Sequence, residues 1–151
     1  MRVCLGGTFN RFHKGHRLLI DTALKKAGSD GFVFIGISNK SLVNDKPKIE
    51  SFEHRRDQVI SFLQSKNQIL PTVVIEPIET VEGPTLTMDI DVIVVSKETK
   101  KVAEQINEKR KQKGLPVMTI IVIPLVLAED DKKISSTRII DDEIDRDGHI
   151  L

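Results

Sequence analysis

Apolar positions along this chain follow two rhythms that take turns. Short runs rich in Val and Ile, at about 3–5, 32–37, 73–78, 91–95 and 118–123, have the length and residue types of strands buried on both faces. Between them come stretches with helical spacing. Over 14–27, Leu19, Ile20, Ala23, Leu24 and Ala27 share one face and Gly28 follows as a stop. Ser51 is placed to cap a second helix in which Phe52, Val59, Ile60 and Leu63 face inward, with His54, Arg55 and Arg56 directed elsewhere. Ser96 is placed to cap a third, carrying Glu98 in its first turn and the stripe Val102, Ala103 and Ile106, and closed by Gly114 and Pro116. A last helix opens at Ser135 or Ser136, carries Ile139, Ile140 and Ile144, and ends before Gly148. Strands alternating with helices predict an α/β fold, a doubly wound, mainly parallel sheet of five strands with helices on both faces.

Composition narrows the function. At 151 residues the chain fits one domain, 1–151. A formal net charge of +1, no Trp, no Tyr and only 6 Phe leave neither a polyanion-attracting field nor stacking platforms, so no nucleic-acid partner is expected. The single cysteine, Cys4, cannot bridge internally, and residues 1–7 are too short for a signal-peptide core, which together predict a cytoplasmic protein. The longest apolar stretch, 118–128, contains Thr119 and Pro124 and falls short of the roughly 20 residues of a membrane span. The run Lys109, Arg110, Lys111 and Lys113 reads as a solvated helix end, and the pairs Asp130-Asp131 and Asp141-Asp142 as surface charge.

The chemistry concentrates where the first strand runs into the first helix, at Gly6-Gly7-Thr8-Phe9-Asn10-Arg11-Phe12-His13-Lys14-Gly15-His16. In an open parallel sheet, ligands sit beyond the carboxyl ends of the strands, where helix amino termini present free N–H groups to anions. Two glycines permit close approach of a phosphate. His13 and His16, two of 4 histidines in the chain, stand three apart at that helix start. Zinc is a competing reading of such a pair, but its further ligands would have to come from Cys4, His54, His149 or scattered carboxylates. Neither a Walker loop nor a dinucleotide fingerprint is present.

Gly6-Gly7-Thr8-Phe9 followed by His13-Lys14-Gly15-His16 resembles the H-x-G-H signature of the nucleotidyltransferase superfamily, and Ile134-Ser135-Ser136-Thr137-Arg138-Ile139 resembles its second phosphate motif. Within it, Gly83-Pro84-Thr85, Val94-Val95-Ser96-Lys97-Glu98-Thr99, Ile106-Asn107 and Lys113-Gly114-Leu115 are similar to the archaeal and eukaryotic type of phosphopantetheine adenylyltransferase. The resemblance covers nearly the whole chain and implies a Rossmann-like sheet. Two departures stand out: Asn10 occupies a place where the family commonly has Asp, and Ile140 one where several members have Arg.

What the resemblance implies is transfer of AMP from ATP to 4′-phosphopantetheine, with Mg2+ travelling on ATP and no metal held by the protein alone. His16 would donate to the α-phosphate, with His13 beside it; Gly6, Gly7, Thr8 and Phe9 would line the ATP site, with Gly6, Gly7 and Thr8 also holding the incoming phosphate. Ser135, Ser136 and Thr137 would bind the β- and γ-phosphates, Arg138 adding charge, and Ser96 and Thr99 would frame adenine. In the loop after the second strand we assign Lys46 to the reaction centre and Lys40 and Lys48, with Thr8, to the acceptor phosphate. The alternatives are a sister transferase acting on glycerol phosphate, FMN or NMN, a nucleotide-binding module without turnover, and a zinc hydrolase.

Overall fold

The computed structural model describes residues 1–44 and 48–151. The chain runs β1 (Arg2–Gly7), α1 (Lys14–Ala27), β2 (Phe32–Ser38), α2 (Phe52–Gln64), β3 (Thr72–Ile78), β4 (Val92–Val95), α3 (Lys100–Gln112), β5 (Thr119–Val122) and α4 (Ser136–Ile140), with 3-10 turns at Lys40–Leu42 and Gly83–Leu86. The five strands lie in the order β3-β2-β1-β4-β5, and every pairing is parallel. The expected doubly wound α/β sheet is present.

Alternation along β1 explains the two layers. Val3 and Leu5 pack with Leu19, Ile20, Ala23 and Val59 of α1 and α2 on one face, while Cys4 packs with Ala103 and Ile106 of α3 on the other. Each Val, Leu or Ile among these, once removed from water, contributes about 1.5–3 kcal/mol. No helix of the described residues is long and apolar enough to cross a membrane.

Three expectations need correction. Helix α3 starts at Lys100 with Thr99 in the N-cap position, and Ser96 closes the preceding turn by donating its N–H to Thr99 Oγ1 at 3.2 Å. Helix α4 stops at Ile140, because Asp142 takes a left-handed φ of 57°. Ile144 instead packs with Ala128 and Ile134 in a small separate cluster, where its backbone bridges Ile150. The basic run after Lys109 is not simply a solvated end: Arg110 is 1% exposed and donates to the carbonyls of Pro116, Thr85 and Met88 at 2.9, 2.6 and 3.0 Å. Its guanidinium fills the orphan acceptors of the Gly83–Leu86 turn and of the loop entering β5.

Candidate active site

Strand order reverses at β1, with β2 on one side and β4 on the other. A crevice opens beyond the carboxyl ends of neighbouring strands that depart in opposite directions. Here it is walled by Gly6, Gly7, His13 and His16 on the β1 side, by Ser96, Glu98 and Thr99 on the β4 side, and by Leu125, Lys133 and Ile134 from the segment that leads to α4.

The two imidazoles are fixed by the backbone they cap. His13 is the N-cap residue of α1, and its Nδ1 accepts the Gly15 N–H at 3.1 Å; His16 Nδ1 accepts the His13 N–H, also at 3.1 Å. Both Nδ1 atoms are therefore acceptors, so in the neutral rings the proton sits on Nε2. The rings stack with centroids 3.7 Å apart. Gly15 is required by this fold-back, because a Cβ there would lie 2.9 Å from His13 Cε1. Phe9 and Phe12 back His16 with ring centroids at 5.3 and 5.7 Å.

Burial sets the charge state. It pushes His13 down to about 4, aided by the charges of Lys133, Arg17 and Arg146. It also drives His16 well below the ordinary imidazole range, aided by His13, Arg146 and Arg17. Both rings are neutral at physiological pH and present N–H donors, not bases.

The loop after β1 is clamped from α2 and the segment before it. Phe9 and Arg11 take φ of 53° and 49°, conformations that non-glycine residues hold only when their surroundings enforce them. Arg55, expected to point away from the core, is 1% exposed; it donates to the carbonyls of Thr8 and Ser38 at 3.0 and 2.7 Å and of Glu50 at 2.9 Å. It sits in the first turn of α2, against strand ends whose carbonyls have run out of ladder partners. The Glu50 carboxylate accepts the Arg11 N–H at 2.7 Å and faces Arg11, His54 and Arg146 at 3.1, 3.1 and 3.6 Å. Burial pushes this carboxyl up, but the hydrogen bonds and charge of Arg11 outweigh it and hold Glu50 below its usual range.

Asn10 uses both ends of its amide, accepting the Glu50 N–H at 3.0 Å and donating to the Lys48 carbonyl at 3.4 Å. An ionised Asp could not make the second bond.

The far end of the chain arrives at the same place. Ser135 caps α4 by accepting the Arg138 N–H at 3.3 Å, and Ser136 Oγ donates to the Asn10 carbonyl at 2.5 Å. The Lys14 N–H reaches the Arg146 carbonyl at 3.0 Å. Ser136 and Thr137 line a second cleft together with Thr8, Asn10, Lys48 and Glu98. Arg138 turns the other way: it forks onto Asp130, meets Glu143 at 2.8 Å and donates to the Lys132 and Lys133 carbonyls at 3.4 and 3.0 Å. Asp130 is thus a brace for the segment before α4 and not plain surface charge.

Of the sequence candidates, the structure gathers Gly6, Gly7, Thr8, His13, His16, Ser96, Thr99, Ser136, Thr137 and Lys48 around these two clefts. Phe9 lies beneath them, 1% exposed. Lys40 is exposed and paired with Glu79 at 3.0 Å, and Lys46 lies outside the described residues. Sequence reasoning passed over Glu50, Arg55 and Lys133. Lys133 stands immediately before the second motif, which was the available signal for it. Among the described residues, the one grouping dense enough in ligand atoms for a cation is Asp145, Asp147 and His149, and neither cleft histidine belongs to it.

Comparison with known proteins agrees with this architecture. The cytidylyltransferase-like family matches residues 4–142. The phosphopantetheine adenylyltransferase of Methanosarcina acetivorans is 39% identical over 97% of this chain and 94% of its own length. That of Methanopyrus kandleri is 43% identical over 91% and 87%. A crystal structure of a protein with unknown function from Archaeoglobus fulgidus superposes with a TM-score of 0.73 at 32% identity, covering 89% of this chain and 100% of that one. The chain therefore belongs to the cytidylyltransferase-like family, on the branch of the archaeal phosphopantetheine adenylyltransferases.

Proposed function

We infer that the chain transfers the adenylyl group of ATP to 4′-phosphopantetheine, giving dephospho-coenzyme A and pyrophosphate. Near-full-length likeness to proteins of that name supports the reading. The structural observation that carries it is the pair of neutral imidazoles fixed as Nε2–H donors beside a hydroxyl-bearing segment tethered from the opposite end of the chain.

The chemistry asks for little more. A phosphate monoester has a second pKa of about 6, so the attacking phosphate is mostly dianionic at neutral pH and needs no general base. It does need relief from repulsion between anions and a fixed in-line approach. His16 donates to an α-phosphate oxygen, where negative charge accumulates, and His13 donates to the neighbouring phosphates. The Gly6 and Gly7 backbone and Thr8, held by Arg55, receive the acceptor phosphate, with Lys48 at the edge of that cleft. Ser135 and Thr137 hold the β- and γ-phosphates with their hydroxyls, and Ser136 with its main-chain N–H, since its one hydroxyl proton goes to Asn10. Ser96 and Thr99, on the far wall from the histidines, frame the adenine.

Mg2+ enters with ATP as part of the substrate. Apart from Glu98 and Asp141, the polar groups around the two clefts are imidazoles, hydroxyls, amides and cations, with no cluster of carboxylates, which suits an ion carried by phosphates and water. Arg138 serves the site through the backbone it braces.

An apolar groove beside Gly6 and Gly7, lined by Ile78, Val81, Val95 and Val102, gives the long arm of pantetheine a place to lie. Glycerol phosphate has no group to fill it. With one buried cysteine and no bridge, we place the protein in the cytoplasm.

A panel of acceptors offered with ATP or CTP, scored by pyrophosphate release, tests the assignment. Turnover confined to ATP with 4′-phosphopantetheine is expected; turnover confined to CTP with glycerol phosphate refutes it.

A further inference from the structure

We propose that Lys133 is a further nucleotide-binding residue: its ammonium, paired at rest with Glu98, exchanges that carboxylate for the polyphosphate of the incoming ATP. The inference rests on the adenylyl-transfer reading and adds a moving part to it.

Most cations near the histidines are already committed. Arg138 is shared between Asp130, Glu143 and two carbonyls; Arg11 and Arg146 converge on Glu50; Arg17 pairs with Asp147. Lys97 and Lys133 both line the cleft, but of the two only Lys133 acts on His13, where its charge is the largest influence after burial. Among the described residues its ion-pair partner is Glu98 alone.

Glu98 occupies an awkward place for a resting anion. It lies on the turn between β4 and α3 and lines both the cleft of the histidines and the cleft of Ser136 and Thr137. A triphosphate running from one to the other must pass it. The Glu98 carboxylate is 66% exposed, and an exposed ion pair is weak enough to be traded. Phosphate carries more charge than one carboxylate and would repel Glu98 while attracting Lys133.

The exchange needs only a side-chain swing. The Lys133 backbone is held by its bridge to Leu127 and by Arg138, which donates to its carbonyl at 3.0 Å. Ile134, next along, is 2% exposed and anchors the small third cluster. A flexible four-carbon stem on a fixed backbone can turn from Glu98 to a phosphate.

The test is direct measurement of ATP binding by calorimetry on the wild-type protein, Lys133→Met, Lys133→Arg and Glu98→Gln, with melting curves as a folding control. Lys133→Met is expected to weaken ATP about 10- to 100-fold, the range for losing one charge-assisted hydrogen bond. Lys133→Arg should recover most of that, and Glu98→Gln should bind ATP more tightly than wild type. An ion pair that served only as a strut would make Lys133→Met and Glu98→Gln equally harmful, and that result overturns the proposal. Unchanged ATP affinity in Lys133→Met overturns it as well. Wild-type turnover with 4′-phosphopantetheine, followed in parallel, tests the function itself, whereas ATP binding reads Lys133 alone.

Discussion

Ser136 donates its hydroxyl proton to the Asn10 carbonyl at 2.5 Å, joining helix α4 to the loop after β1 across most of the chain's length. Replacing Ser136 with Ala removes the tether and leaves a partly buried carbonyl without this partner. The expected cost is about 1 kcal/mol in chemical denaturation. Because the proposed phosphate path runs through the cleft that Ser136 lines, KM for ATP should rise about tenfold. A loss of stability with KM untouched would make the contact a structural strut and nothing more.

On the proposed mechanism His16 has two jobs on two nitrogens, and a substitution can separate them. Asn at this position offers an oxygen near the place of Nδ1, preserving an acceptor for the His13 N–H, but it cannot reach as Nε2 does. His16→Asn should fold like the wild type and lose about 10²- to 10³-fold in kcat, the cost of removing one transition-state donor. His16→Ala should lose the same activity and be less stable, since the His13 N–H loses its partner. Full activity in His16→Asn removes the ring from the mechanism.

The histidines also make stability depend on pH. Folded His13 titrates at about 4, against about 6.5 for a free imidazole, so between those values the unfolded chain binds more protons. Stability from this ring is complete above pH 6.5 and drains away as pH falls toward 4. His16 acts in the same direction. His13 alone should therefore lower the free energy of unfolding by on the order of 2 kcal/mol between pH 7 and pH 5, with His16 adding to the drop. His13→Asn should reduce that slope and leave the part due to His16, and a wild-type profile with no slope contradicts the burial argument. Activity behaves differently, because an acid limb near pH 6 would report the acceptor phosphate and not the enzyme.

Gly15 separates local propensity from function. Alanine there would ordinarily favour helix α1 by about 0.5–1 kcal/mol. Its Cβ, however, would meet the His13 ring at 2.9 Å and force it off His16. Gly15→Ala should melt within a few degrees of wild type yet turn over at least tenfold more slowly, on the order of the loss expected when a donor is misplaced. Retained kcat would show that the stacked pair tolerates displacement.

The sheet was legible because β1, β2 and β4 are covered on both faces, so their apolar runs are nearly unbroken. The two motifs were legible as well, since glycines and closely spaced histidines leave a local signature. Other features depend on distant partners. Arg55 and Arg110 read as surface residues because charge normally means solvent; they are buried by carbonyls from segments remote in the chain, which no local pattern records. Ile144 keeps helical spacing after Ile140, and the reversal at Asp142 that breaks it leaves no periodic trace. Ser96 and Thr99 are both good caps, and only the turn that joins them decides between the two.

The central claim is that one triphosphate spans the imidazole pair and the Ser135–Thr137 segment. A crystal structure with α,β-methylene ATP tests it most directly. The α-phosphate is predicted within hydrogen-bonding reach of His16 Nε2, with the β- and γ-phosphates against Ser136 and Thr137. A nucleotide whose phosphates touch only one of these two sets, or neither, would contradict the account.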